Sequence, residues 1–404
     1  MVQLYQLLKF PSNPAINIYL YCLHPKTYIA HFDLDSFFYS VEVLNDPSLA
    51  NKAVIVGGSR ERGVVTTCSY EARKYGVHSA MPMKKAMQLC PHAILVRGTH
   101  GQYGKFSKWV TDIIAAKAPK FQKASIDEFY LDLTGMDKFF DPFKWTIDLR
   151  EEIIDKTKLP ISFGLASNKL VAKIATDEAK PNGYLFIQHG KEKDFLAPLP
   201  VKKIPGVGEH TLSVLNEMGI EFIADILRLS QTEMETRFGK WGAELWNKAQ
   251  GLHYGSVSEW HEAKSISTEN TFETNTADVD FLLSELVRMT EKISFELRQD
   301  NKLAGCIAIK IRYPNFETTS KQTAIDYTFR DDEFIPVAID LFHQLYKRGN
   351  PVRLLGVRLT DFTNITMQGN LFDDMNKKTN LYKAIDNIKL KYGKSFLSKA
   401  RTIK

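Results

Sequence analysis

The chain has 404 residues, of which 44% are hydrophobic and 25% charged, and a formal net charge of +6. That length exceeds what one hydrophobic core usually serves and predicts several domains with ample buried area. No apolar run reaches the roughly 18 residues of a membrane-spanning helix, the N-terminus lacks the pattern of a secretory signal, and Cys22, Cys68, Cys90 and Cys306 show neither metal-ligand spacing nor a disulfide framework. A helical membrane protein and a disulfide-stapled secreted domain are disfavoured, and a reducing cytoplasm fits.

Residues 1–27, with Pro11, Pro14 and Pro25, carry no periodicity and read as an extension without assigned function. Residues 28–32 predict a short buried strand that delivers Asp33 and Asp35 where a helix starts near Ser36 and runs to Leu44. Phe37 is expected in the core, while Phe38 points elsewhere on the turn, towards a ligand. Buried strands are predicted over 52–56 and 64–67. A helix over 68–76 follows, ended by its glycine, with Tyr70 and Arg73 three apart on one face. A phenol beside a guanidinium can bind phosphate, and an exposed helical Arg can equally be solvated.

A helix over 98–118 leads to a second carboxylate strand, 124–133, with Asp127 and Glu128 in its first half. Carboxylates on neighbouring strands could grip divalent cations. After a helix over 142–156 and a strand over 161–165, a Ser/Asn-capped helix ends at Pro181-Asn-Gly183 with Lys180 at its C-terminal end. Two readings of Lys180 stand: complementing the helix dipole, or holding phosphate.

Residues 201–220 look like a helix-hairpin-helix. Its Gly206-Val-Gly208 bend can offer backbone N–H groups to a DNA phosphate. Residues 251–263 read as a tether, and 264–362 give a βαββαβ order, an α+β sandwich of its own. Leu371 and Phe372 then lie in a polar loop, either anchoring in a partner's pocket or packing within the chain. Residues 375–404 hold nine Lys/Arg against the single acid Asp386, a net of +8 that leaves −2 for the rest. Such a tail suits a polyanion partner or is a solvated, disordered extension. Within it Leu381, Ile385, Ile388 and Tyr392 recur at helical spacing, with Gly393 as a cap.

Five motifs, in this order, resemble the Y-family, lesion-bypass DNA polymerases: His31-Phe-Asp-Leu-Asp-Ser-Phe-Phe38, Ser69-Tyr-Glu-Ala-Arg-Lys-Tyr-Gly76, Ser125-Ile-Asp-Glu128, Ala179-Lys-Pro-Asn-Gly183 and Ile204-Pro-Gly-Val-Gly208. The resemblance implies an α/β multidomain right hand. It would consist of a palm (28–36 and 101–187), fingers (37–100), a thumb with the helix-hairpin-helix (188–254), a tether (255–263) and an α+β little finger (264–365). A clamp-binding motif and basic tail (366–404) would close the chain. By the same resemblance Asp33, Asp127 and Glu128, with the Leu34 carbonyl, hold two Mg²⁺, and Asp35 has a capping or supporting role. Thr67, Tyr70, Arg73 and Lys180 meet the dNTP triphosphate, Phe38 is the steric gate against ribose, and Gly206 and Gly208 meet DNA phosphate.

Gln368, Leu371 and Phe372 resemble a sliding-clamp-binding peptide, although Gly369 departs from the leucine often found there and the basic extension departs from polymerases that end at this motif. The implied enzyme is a low-fidelity, distributive, template-directed polymerase without a proofreading exonuclease. Its partners are primer-template DNA, dNTPs and the clamp, its state monomeric by default and its location cytoplasmic. A two-metal nuclease or a catalytically dead DNA- and clamp-binding scaffold are the alternatives, and nucleotide incorporation separates all three.

Overall fold

The computed structural model describes residues 26–99, 101–259, 262–364, 375–393, 396, 397 and 399. Gln368, Leu371 and Phe372, and all of residues 1–25, lie outside the described residues. The chain forms two units, Met1–His261 and Glu262–Lys404.

In the first unit the initial strand, β1 (Ile29–Leu34), is buried along its whole length. β2 (Val54–Gly57), β3 (Val65–Cys68) and β4 (Ile94–Val96) make a separate three-stranded sheet in the order β3-β2-β4. β5 (Phe121–Lys123), β6 (Glu128–Asp132), β7 (Ile161–Ala166) and β8 (Tyr184–Phe186) join β1 in a five-stranded sheet, β5-β6-β1-β7-β8. β1 is thus the central strand, antiparallel to β6 and β7.

Side chains alternate across a strand, and both faces of this sheet are covered. Ala30, Phe32 and Leu34 pack with Phe129, Leu131 and Phe163 under the helices Gln102–Ala115 and Pro142–Thr157. Ile29, His31 and Asp33 face the other way, the side on which the helix Lys169–Ala179 lies through Leu170, Val171 and Ile174. Gly164 permits that close seat, because a Cβ there would stand 2.3 Å from the Ala172 carbonyl oxygen. The same core continues through Leu215, Ile223, Met234 and Leu245 of the helices between Glu209 and Ala249.

Several boundaries differ from expectation. The helix expected over 68–76 is a single turn, Tyr70–Arg73, because Cys68 remains in β3 and the Ser69 side chain caps the turn by accepting from Ala72 N–H. The helix expected from 98 starts at Gln102, after Gly101 at φ +87°. Asp127 precedes β6 rather than lying in it. The expected tether is docked at its start: Val257 is 1% exposed in the shared core and Ser258 N–H donates to Gln122 Oε1 at 3.3 Å.

The second unit has the expected βαββαβ order: β9 (Ser265–Thr276), helix Val279–Gln299, β10 (Lys302–Arg312), β11 (Thr318–Thr328), helix Asp331–Leu345 and β12 (Val352–Asn364). The sheet is antiparallel, ordered β11-β10-β12-β9, and both helices share one core with it. A further helix, Met375–Tyr392, also forms, with Gly393 at φ +100° just after it.

This helix is not the solvated tail its composition allowed. It buries Tyr382, Asp386 and Lys389, whereas Leu381 and Tyr392 of the anticipated apolar row are exposed. Asp386, the lone acid of the last thirty residues, meets Arg298 with Oδ2 2.8 Å from Nε and Oδ1 2.9 Å from Nη2. Tyr382 Oη lies 2.7 Å from Asp331 Oδ1 and 2.8 Å from Asp332 Oδ1.

Candidate active site

The antiparallel register sets Asp33 directly opposite Glu128, so both carboxylates emerge on the face covered by the Lys169–Ala179 helix. Leu34 N–H donates to the Asp127 carbonyl at 3.1 Å, which brings the third acid to the end of β1. Ser125 shapes the approach to β6: its Oγ accepts from Asp127 and Glu128 N–H at 3.2 and 3.0 Å and lies 2.5 Å from Asp127 Oδ1.

Each β-strand carboxylate faces an ammonium. Lys180 Nζ, at the C-terminal end of the helix, lies 2.6 Å from Asp33 Oδ2, and Lys173 Nζ lies 2.6 Å from Glu128 Oε1. Asp33 is 6% exposed, and burial outweighs the Lys180 charge, with Glu128 and Asp127 adding repulsion, so its carboxyl is pushed up to about 7. Glu128 goes the other way. Burial raises it, but Lys173 and the nearby His31 outweigh burial and hold it well below the usual carboxylate range. His31 is fully buried, which lowers its pKa; its Nδ1 lies 2.9 Å from Thr176 Oγ1 and its Nε2 3.7 Å from Glu128 Oε2.

Tyr70 and Arg73 reach the same corner. Arg73 Nη2 donates to Ser36 Oγ at 3.2 Å, its guanidinium lies 5.1 Å from the Tyr70 ring, and Tyr70 Oη is 3.5 Å from Asp35 Oδ1. Thr67 is buried in β3 opposite Val56. Phe37 is core, as anticipated, and Phe38 is half-buried, its ring 4.5 Å from that of Tyr103. Gly206, at φ +99°, and Gly208 lie in the bend before the helix Glu209–Glu217.

Among the described residues no three acidic, His or Cys side chains already converge as a metal cluster. The donor set nevertheless fits a divalent cation: its donors are hard carboxylate oxygens, and those of Asp33 and Glu128 share a face and each already meet an ammonium at contact distance. Sequence reasoning missed Lys173, His31 and Ser125. Lys173 carried one signal, since residues 173 and 180 are two helical turns apart and share a face.

Residues 32–177 match the impB/mucB/samB family, residues 263–371 its C-terminal domain, and residues 202–253 the DNA polymerase-iota thumb domain. The chain is 38% identical over 336 residues to a DNA polymerase IV of Methanoculleus marisnigri, a match spanning 82% of this chain and 93% of that one. A DNA polymerase IV of Dehalococcoides mccartyi is 36% identical over 93% of this chain and 97% of its own. Among solved structures, a Y-family DNA polymerase chimera of Dbh and Dpo4 superposes with a TM-score of 0.75 at 32% identity, over 83% of this chain and 99% of its own. An insertion ternary complex of Dbh DNA polymerase gives 0.61 at 32% identity, over 83% and 99%. The chain belongs to the Y family of DNA polymerases and is a DNA-directed DNA polymerase of translesion synthesis.

Proposed function

We propose that the enzyme extends primer-template DNA with dNTPs at the corner where β1 meets β6, using divalent cations bound by Asp33, Asp127, Glu128 and the Leu34 carbonyl. The observation that carries this reading is the placement of Asp33 opposite Glu128 with Asp127 tied to Leu34. Two Mg²⁺ suit the oxygen-only donor set; when bound, such ions lower the pKa of the primer 3′-hydroxyl and neutralise charge on the transferred and leaving oxygens. Lys180, 2.6 Å from Asp33 Oδ2, would turn its ammonium to a triphosphate oxygen. Arg73 and Tyr70, with Thr67, hold the triphosphate. Phe38 lies under the sugar and excludes a 2′-hydroxyl.

The five-stranded sheet and its helices are assigned to the palm, the three-stranded sheet to the fingers, the segment 188–254 to the thumb and the α+β unit to the little finger. Gly206 and Gly208 would offer N–H groups to a DNA phosphate, which reads no base. Gln368, Leu371 and Phe372 are assigned to a sliding clamp, and the enzyme is taken as a cytoplasmic monomer. No helix among the described residues is long and apolar enough to cross a membrane.

Primer extension with dNTPs and Mg²⁺ tests the reading. Wild type should lengthen the primer and Asp127→Ala/Glu128→Ala should not. Primer shortening by wild type would indicate a nuclease, and a folded wild type that binds DNA without extending it would indicate a scaffold.

A further inference from the structure

Asp35 is the acid on β1's end that the metal reading leaves without a task, and it is the more deeply buried, at 1% exposed against 6% for Asp33. Its carboxylate is fully engaged by neutral donors. Asn182 N–H donates to Oδ2 at 2.7 Å, Ser162 Oγ lies 2.9 and 3.0 Å from the two oxygens, and Tyr70 Oη is 3.5 Å from Oδ1. Asp35 is itself immobilised, since its N–H donates to the Pro160 carbonyl at 2.9 Å and its carbonyl accepts from Ser40 Oγ at 2.7 Å.

What it holds is the turn that follows Lys180. Asn182, at φ +51°, is fastened on one side by Asp35 and on the other by Arg150, whose Nη2 donates to the Asn182 carbonyl at 2.7 Å and lies 2.6 Å from its Oδ1. Gly183 N–H donates to Ser162 Oγ at 3.2 Å, so the serine bridges the carboxylate to the next residue of the turn. The next residue, Ser36, at the start of the helix Phe37–Asn45, accepts from Arg73. One corner of the chain, Asp35-Ser36, therefore contacts two separate segments, the turn Tyr70–Arg73 and the turn that follows Lys180.

We infer that Asp35 is a positioning residue for nucleotide binding: through Asn182 it sets where Lys180 can reach, and so tunes affinity for the dNTP triphosphate without touching a metal or the substrate. The inference rests on the assignment of Lys180 to the triphosphate. A buried carboxylate bonded to a backbone N–H is a strong, directional tether, and misplacing a group that binds charge weakens it sharply. Asparagine at 35 keeps the shape and an oxygen for Asn182 N–H, but it removes the negative charge that strengthens that bond and replaces the second acceptor oxygen by an N–H donor.

The test is a double-mutant cycle of Asp35→Asn with Lys180→Ala, read as the dNTP dissociation constant from single-turnover titrations, with DNA affinity and melting temperature measured alongside. Asp35→Asn alone should weaken dNTP about tenfold, the scale of one charged hydrogen bond, and leave primer-template affinity unchanged. On the Lys180→Ala background it should add less than about twofold, because the group it positions is gone. Full multiplication of the two effects would overturn the inference while leaving Lys180's assignment intact. A Lys180→Ala variant with unchanged dNTP affinity would remove the assignment and this inference together. Should Asp35→Asn melt below the assay temperature, Ser162→Ala removes the second hold of the carboxylate on the turn, the bridge to Gly183 N–H, and should weaken dNTP about threefold on the wild-type but not on the Lys180→Ala background; dNTP affinity equal to wild type in that variant would also overturn the inference.

Discussion

Asp386→Ala tests whether the C-terminal helix is a structural part of the second unit. Arg298 and Asp386 side chains are 6% and 10% exposed, joined by two bonds of 2.8 and 2.9 Å. Arg298 also donates to the Phe329 carbonyl at 3.1 Å, and its guanidinium lies 4.7 Å from the Tyr382 ring. Truncating the aspartate leaves the guanidinium buried with that single carbonyl acceptor, which costs about 3–5 kcal/mol. For a unit of this size each kcal/mol corresponds to about 3–4 °C, so the calorimetric transition of the second unit should fall by about 9–20 °C. The swap Arg298→Met/Asp386→Leu removes both charges together and should lie within about 1 kcal/mol of wild type. Because both groups are shielded from solvent, raising the salt concentration should change the Asp386→Ala shift little. A shift under about 1 °C, or one equal to that of the double swap, would refute the argument that this pair fastens the helix.

Two other predictions concern the active site. Phe38→Ala should admit ribonucleotides, raising the rNTP-to-dNTP incorporation ratio by about tenfold or more, since a lost steric clash exceeds one kcal/mol; unchanged discrimination would remove Phe38 as the gate. Asp33 has a folded pKa raised to about 7 from the ordinary 3.8, so the native chain retains a proton that the unfolded chain releases. Its contribution therefore opposes folding increasingly as pH rises from about 4 to about 7, and in the proposed metal site protons would compete with cations for this carboxylate over the same window. Mg²⁺ affinity measured by titration calorimetry without nucleotide should rise up to about pH 7 and then level; an affinity flat from pH 5.5 to 8 would contradict this.

How far the sequence is readable follows from how local each signal is. β1 was legible because its apolar residues stop at Asp33, and the second unit because its βαββαβ alternation is carried by runs long enough to show their period. The ion pairs of the site were not, since Glu128–Lys173 and Asp33–Lys180 join residues 45 and 147 positions apart and no local pattern encodes such pairs. The C-terminal helix illustrates a different failure. Its apolar period pointed to Leu381 and Tyr392, but the surface it meets offers Arg298, Asp331 and Asp332, so Tyr382 and Asp386 turn inward instead. Asp127 was placed inside a strand because its neighbours are β-formers, while Ser125 draws the backbone into a turn that ends one residue later.

Gly164 stands opposite His31 in the sheet, directly beneath the helix that carries both Lys173 and Lys180. A single methyl group at this position would act as a shim. It would prise the helix off the strand and widen the gap between two ammonium groups and two carboxylates at once, without altering any of the four. The spacing of these two ion pairs is thus set by the thickness of a hydrogen atom at a position with no chemistry of its own.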